Sequence, residues 1–267
     1  VALEGEYLGK EEEFKSLVTL RAGEAYNAED EASTVKAFTD YFGAFGYAFA
    51  QVEPTRDIDR VNKQVSFVFR SQPARRVYVR RVNIGGNSRT KDEVIRREIR
   101  QYESAWFDSE KVRLSRDRID RLGFFESVNI ETPAVPSAPD QVDVNVTVKE
   151  RATGNIQLGA GYSSTEGLVL TAGLAQQNLF GSGNALSLEI NTSKANRTIA
   201  IAHTDPYVTS EGISRSVELF DRTSDLAELG LSSVGYSTRG LGVVYGVPFT
   251  EYDRVYFGLR WEKTTID

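Results

Sequence analysis

Cysteine is missing from all 267 residues, which removes any disulfide framework, cysteine nucleophile or thiolate metal site while leaving an oxidising compartment open. There is a single histidine, so a metal site or catalytic triad built on imidazole has no second ring to draw on. The chain has no apolar run of about eighteen residues and encodes no transmembrane helix. It also lacks a start methionine and a signal-peptide apolar region. It opens at Val1-Ala2-Leu3 as though inside a strand, and the expectation is a piece of something longer. A net charge of −6 argues against nucleic acid as the main partner.

What is present changes along the chain. Residues 1–150 carry 23 Lys+Arg, 26 Asp+Glu and eight Gly, against nine, twelve and fourteen in residues 151–267. Charge density falls as glycine rises, which places a domain boundary near Arg151.

The first half repeats itself. "AYNAEDEASTVKAFTDYFGAFGYAFAQVEP" (25–54) and "WFDSEKVRLSRDRIDRLGFFESVNIETP" (106–133) share an order of features. Each has an aromatic, an N-cap (Asn27 or Asp108), a helical stretch, a Gly-aromatic step (Gly46-Tyr47 or Gly123-Phe124), an extended run and a proline (Pro54 or Pro133). The second copy predicts a strand over 77–84, a helix from Thr90 to Arg100 with Val94, Ile95 and Ile99 as its stripe, and a helix from Asp108 with Val112, Ile119 and Leu122. Two strands follow, the last carrying Val142, Val144, Val146 and Val148 at period two. The order is β-α-α-β-β, and in the first copy the opening strand is cut short. Two such domains, 1–73 and 74–150, are expected to join at a hinge near Gln72 to Arg76. Gly46 and Gly123 read as helix C-caps, and Phe124 and Phe125 as core and rim aromatics. The basic cluster "ARRVYVRR" (74–81) reads as a solvated strand face at the domain junction rather than an anion site.

Beyond Gly154 no helical pattern is found. Leu168-Leu170-Ala172-Leu174, Leu186-Leu188-Ile190, Leu241-Val243-Tyr245-Val247 and Val255-Phe257-Leu259-Trp261 each form a period-two apolar face. About seven strands are readable. Strands of roughly nine to eleven residues match a transmembrane β-barrel, although a soluble lipocalin-like barrel would alternate as well. Apolar faces almost free of charge favour a membrane. So do Tyr162, Phe180, Tyr207, Phe249, Tyr252 and Trp261 near strand ends, where an interfacial girdle belongs. An odd number of strands leaves free edges, so closing strands are expected beyond residue 267. His203, in "IAIAHTDPY", reads as a strand residue near a turn. With no usable histidine and no paired-carboxylate context, nothing indicates hydrolysis, and the expectation is that this is not an enzyme and uses no cofactor.

"ERATGNIQLGAGYSSTEG" (150–167) is spaced by glycine. A nucleotide loop would need a third glycine where Ser164 stands, and a helix after it. The strand reading fits instead. Ile156, Leu158, Ala160 and Tyr162 form one face, with Gln157, Gly159, Gly161 and Ser163 on the other. Glycine there either weakens the pairing of this strand or relieves crowding where a barrel bends.

The segments "RLGFFESV" and "FGYAFAQV" resemble tandem POTRA domains, the periplasmic modules of outer-membrane assembly proteins. "VKERATGNIQLGAGYSSTEGLVLTAGLAQQNLFGSGNALSLEI" followed by "TDPYVTSEGIS" resembles the outer-membrane β-barrel assembly factors of the BamA family, across the join of the last POTRA domain and the barrel. The resemblance implies an α+β tandem of POTRA domains followed by an antiparallel transmembrane β-barrel, incomplete in this chain, with residues 151–267 as its N-terminal strands. It implies a Gram-negative outer-membrane location with the POTRA domains in the periplasm, and insertion of client barrels without nucleotide hydrolysis. Client outer-membrane proteins, accessory lipoproteins and the lipid bilayer are the implied partners, with no nucleic acid. On this reading Gly154, Asn155, Ile156, Gln157, Leu158, Gly159, Ala160, Gly161, Tyr162 and Ser163 form the edge that pairs with a client strand. Tyr102 and Glu103, in "RQYESAW", are implied in docking an accessory lipoprotein, or else Glu103 is a solvated carboxylate. The family's lid-loop arginine motif lies in the later barrel and is not carried over. A related POTRA-barrel transporter, such as a two-partner secretion pore or a TamA-like translocation factor, is the alternative; a soluble ligand-carrying barrel fused to adaptor domains is a further one.

Overall fold

A computed structural model describes residues 1–225, 227 and 234–266. The first repeat runs β1 (Ala2–Gly5), α1 (Glu11–Ser16), α2 (Ala28–Ala44), β2 (Gln51–Asp59) and β3 (Gln64–Gln72). Its short opening strand lies parallel to β3, which is central in the order β1-β3-β2. The signals that bound α2 work as their chemistry requires. Asn27 accepts the Glu29 N–H, filling an orphan donor of the first turn. Past the other end Gly46 takes φ +94°, the left-handed conformation that stops the helix. The core is unusually aromatic: Tyr7, Phe14, Phe38, Phe42 and Phe69 are buried, and the Phe14 ring lies 4.5 Å from Phe42 and 5.2 Å from Phe38. The Tyr7 hydroxyl donates to the Phe69 carbonyl at 2.7 Å, so the core holds no orphan phenol.

The second repeat runs β4 (Tyr78–Gly85), α3 (Asp92–Arg96), α4 (Ser109–Arg121), β5 (Phe125–Glu131), β6 (Ala134–Val135) and β7 (Ala138–Glu150). Central β7 lies between β4 and β5, and its Val142, Val144, Val146 and Val148 are buried as the alternation predicts. Asp108 caps α4 by accepting from Glu110 and Lys111, and Gly123 follows that helix at φ +72°. Phe124 and Phe125 are both buried. The helix expected from Thr90 to Arg100 is a single turn and a half, Asp92–Arg96. The Arg100 N–H is taken instead by Ser115 Oγ of α4 at 2.8 Å, a tertiary hydrogen bond that outcompetes another helical turn.

Contacts divide the chain into two units, Val1–Gly86 with Glu98–Lys149, and Asn87–Arg97 with Glu150–Asp267. Inside the first unit the segment between the repeats is fastened to the end of α2. Val77 N–H donates to the Gly46 carbonyl at 2.9 Å, Arg76 Nε to the Phe45 carbonyl at 2.8 Å, and Ser109 Oγ to the Asp40 carbonyl at 2.6 Å. The Phe45 and Gly46 carbonyls lie at the helix terminus, where no intrahelical donor reaches them.

The second unit is built on one antiparallel sheet in the order β14-β13-β12-β11-β10-β9-β8, with every neighbour consecutive in the chain. Its strands are β8 (Gly154–Ser163), β9 (Gly167–Gln176), β10 (Ala185–Thr192), β11 (Asn196–Asp205), β12 (Ser214–Asp225), β13 (Gly235–Pro248) and β14 (Arg254–Ile266). Register aligns the apolar faces read from sequence. Leu158 faces Ala172, Ala172 faces Ile190, Ile190 faces Ile199, and farther along Leu219, Leu241 and Trp261 stand in a row. The belt is exposed, Leu158 by 78% and Leu259 by 85%, an arrangement suited to hydrocarbon and not to water. The opposite face is polar: Arg260 donates to Glu218 at 3.1 Å, and the guanidinium groups of Arg222 and Arg260 lie over the Phe220 ring at 4.6 and 5.1 Å. No helix among the described residues is long and apolar enough to cross a membrane.

Candidate functional site

β8 is an edge: among the described residues it pairs only with β9, from Gly154 against Gln176 to Ser163 against Gly167. Gln177 N–H donates to the Thr153 carbonyl at 2.9 Å, which fixes the phase of the ladder. By alternation Asn155, Gln157, Gly159, Gly161 and Ser163 turn their main-chain groups to β9, while those of Gly154, Ile156, Leu158, Ala160 and Tyr162 face outward. A row of unused donors and acceptors next to an apolar side-chain face is a template for another strand.

The glycines differ in what surrounds them. A Cβ on Gly159 would stand 2.5 Å from Thr171 Oγ1, whereas none of the surroundings of Gly161 comes within 4 Å. Crowding therefore accounts for the first glycine and not for the second. Each glycine costs a strand roughly 0.5–1 kcal/mol relative to alanine, so β8 is held to β9 more loosely than its length suggests. Among the described residues β14 is the other edge of the sheet, and one of its faces carries the exposed side chains of Phe257, Leu259 and Trp261, of a kind that strands favour over glycine.

Tyr102 and Glu103 lie in the first unit, between α3 and α4, and both are exposed. Glu103 is more than a solvated carboxylate, because its Oε1 accepts the Val82 N–H at 2.8 Å. The following residues run along β4 as well: Ser104 N–H donates to Val79 O at 2.7 Å and Phe107 N–H to Val77 O at 3.0 Å. β4 is an edge strand of its sheet, so residues 103–107 cover an edge that would otherwise invite pairing. Trp106 sits there as an exposed platform, stacked on Tyr78 at 3.9 Å with the Arg76 guanidinium 4.2 Å from its ring.

His203 lies two residues before the end of β11, its Nε2 3.5 Å from Asn184 Nδ2, and no group of potential metal ligands occurs among the described residues. Of the aromatics expected at strand ends, Trp261 instead stands inside β14 opposite Leu241, because β14 runs on to Ile266; the others lie at or beside the strand ends. Phe180, Phe249 and Tyr252 are exposed on the turns at the end where β8 begins, and Tyr162 lies at the other.

Sequence reasoning missed a polar cluster in the second unit. Asn178 Nδ2 donates to Thr90 Oγ1 at 2.8 Å, and Asn178 Oδ1 accepts the Gly183 N–H at 2.8 Å. The Glu150 carboxylate accepts from the Ser88 hydroxyl at 2.9 Å and the Thr90 N–H at 2.6 Å, and also from Arg89 N–H. Burial acts to raise the Glu150 pKa, but these donors outweigh it and hold the group below its ordinary range. The usable signal was "NLFGSGN", where two glycines flank a turn that starts at asparagine.

The geometry fits what comparison with known proteins finds. The POTRA family model, described as surface antigen variable number repeat, matches residues 1–72 and 77–151. The chain belongs to the POTRA family. The Omp85 superfamily domain matches residues 178–267, the part of the sheet that runs from β10 to β14. The chain is 36% identical over 257 residues to the outer membrane protein assembly factor BamA of Neisseria meningitidis serogroup B, a match covering 96% of this chain and 32% of the relative. It is similar to the crystal structure of BamA from Haemophilus ducreyi lacking POTRA domains 1–3, at TM-score 0.82 and 30% identity, covering 99% of this chain and 50% of that one. CdiB from Acinetobacter baumannii shares the fold at TM-score 0.51 and 12% identity, covering 100% of this chain and 53% of that one. The chain thus spans about a third of the length of the curated relative and half of the similar crystallised protein.

Proposed function

We propose that this chain is the part of an outer-membrane assembly factor that folds and inserts β-barrel clients, with β8 as the strand on which a client strand pairs. The outward backbone row of β8 carries this reading. It is supported by the open surroundings of Gly161 and by similarity to relatives named as outer membrane protein assembly factors. Pairing needs no cofactor and no hydrolysis: the client exchanges hydrogen bonds to water for hydrogen bonds to a fixed template, and its apolar side chains pass into lipid. Residues 1–73 and 74–150 act as periplasmic POTRA domains, and residues 151–267 supply the first strands of the barrel. A transporter built on the same parts would share the edge but would not retain a paired client.

The test uses the absence of cysteine from residues 1–267. A cysteine introduced at Leu158, on the free edge, is expected to form a disulfide with a cysteine in the terminal strand of a client caught during assembly. The same probe at Ile190, inside the sheet on β10, is expected to give none. Equal yields at the two positions would remove β8 as the template.

The exposed stretch Tyr102–Trp106 is the docking surface for an accessory lipoprotein, with Glu103 pairing to a basic group on that partner. Because Glu103 also covers Val82 N–H, charge reversal alone confuses two roles, and the Glu103→Gln change separates them. Gln keeps the acceptor and loses the charge. Co-purification of the lipoprotein is expected to fall severalfold in both Glu103→Gln and Glu103→Lys, the range of an exposed ion pair worth about 1 kcal/mol. Loss in Lys with full retention in Gln would assign Glu103 to β4 alone.

A further inference from the structure

Strand register is normally set by side chains: a slip along the ladder misplaces them all, and glycine-rich strands resist slippage least. β8 has Gly159 and Gly161 on the face it shares with Thr171 and Val169 of β9, so this half of the strand carries little that specifies its partner residues. Its root is different. Gln177 N–H donates to Thr153 O at 2.9 Å and Gln176 Nε2 to Thr153 Oγ1 at 2.9 Å, pinning the residue before β8 to the end of β9. The next residue, Asn178, stands at φ 54° and is itself buried, 8% exposed.

That left-handed turn is held from outside by residues 88–91. Thr90, 3% exposed, takes the Asn178 amide on its hydroxyl, and Lys91 N–H donates to Gly181 O at 2.9 Å. Contact is so close that a Cβ on Gly181 would stand 1.9 Å from Arg89 O. Residues 88–90 are in turn gripped by the Glu150 carboxylate, four residues before β8 begins. The circuit from Glu150 through Thr90 and Asn178 to Gln177 and Thr153 closes on the root of the edge strand.

The geometry points to Asn178, Thr90 and Glu150 as positioning residues of the pairing edge: they set the register of β8 on β9 from its root, and thereby the register in which an incoming strand is received. This rests on the reading of β8 as the pairing strand. It explains how an edge can be loose enough along Gly159 and Gly161 to admit a client and still present it with one alignment.

The experiment measures register apart from activity, in the intact protein reconstituted in phosphatidylcholine vesicles. Leu158 faces Ala172, so a cysteine pair at 158 and 172 reports the native alignment, and a pair at 158 and 170 reports a two-residue slip that keeps the same face. Without further change the native pair is expected to oxidise at least tenfold faster than the slipped pair. Asn178→Ala and Thr90→Val, each of which breaks the circuit, are expected to bring the two rates within about twofold, while Thr90→Ser keeps the original ratio. A pair at 188 and 201, opposed on β10 and β11, must oxidise normally in every variant, which excludes general unfolding of the sheet. An unchanged ratio in both Asn178→Ala and Thr90→Val overturns the assignment. Insertion of an unfolded eight-stranded outer-membrane barrel is followed in parallel. A shifted ratio with normal insertion would keep the register role and reject β8 as the client's template.

Discussion

A disulfide between β8 and the strand that closes the barrel is expected to stop client insertion, and reductant to restore it. The engineered cysteine on β8 would meet no other thiol within residues 1–267, which hold no cysteine, and the disulfide closes wherever the two Cα atoms lie about 4.4–6.8 Å apart. The expectation follows from the backbone of Ile156, Leu158, Ala160 and Tyr162: a covalently closed seam cannot offer these groups to another strand. Insertion into vesicles is expected to drop by more than tenfold when oxidised, with the sheet intact. Gly161→Val approaches the same point without a crosslink. The site has room for the side chain, and strand preferences span about 1 kcal/mol, so a stiffer β8 should slow insertion roughly fivefold. Insertion at the normal rate through a sealed seam would end the pairing-edge reading and leave these glycines to strand packing alone.

The largest expected effect on stability lies in the first repeat. Glu31 on α2 is buried, with its side chain 5% exposed, and takes Arg56 Nε and Nη2 of β2 in two hydrogen bonds of 2.8 Å. Tyr26 Oη donates to the same carboxylate at 2.9 Å. Arg56 is itself 49% exposed, which makes the two partners unequal. Removing Glu31 frees an arginine that can turn to water. Removing Arg56 strands the Glu31 carboxylate with a single neutral donor, the costlier of the two losses. Arg56→Ala is therefore expected to speed hydrogen exchange of the α2 amides at least a hundredfold in the intact protein, and Glu31→Gln to do so far less. Equal effects would mean that the pair acts by packing.

The pH dependence has a defined sign. The Arg56 hydrogen bonds hold the Glu31 pKa below its ordinary value of 4.5, outweighing burial, which raises it. A carboxylate depressed in the folded state contributes stability above its unfolded pKa and loses it as pH falls through the folded value. The exchange difference between the unsubstituted protein and Arg56→Ala should thus be full at neutral pH and shrink below about pH 4.5. A difference constant down to pH 3 would contradict it.

What the sequence determined by itself is whatever depends on neighbours two to four residues apart. Asn27 and Asp108 announce helix starts, Gly46 and Gly123 announce their ends, and Val142 to Val148 announce a strand, because caps and periodicities are short-range properties of the backbone. The same holds for the alternating faces of β8 to β14 and for the glycines that single out β8. What only the tertiary structure decided depends on residues distant in the chain. Glu31 reads as an ordinary acid in the first turn of a helix until Arg56, 25 residues away, meets it from β2. The helix after Thr90 stops at Arg96 because Ser115 takes the Arg100 N–H, and Glu103 covers the edge of β4 at Val82. Asn178 and Thr90 are 88 residues apart, and neither carries a local pattern that names the other. A side-chain hydrogen bond of this kind costs nothing in periodicity and leaves no trace in it, so the root of the edge strand became visible only once the sheet had brought its partners together.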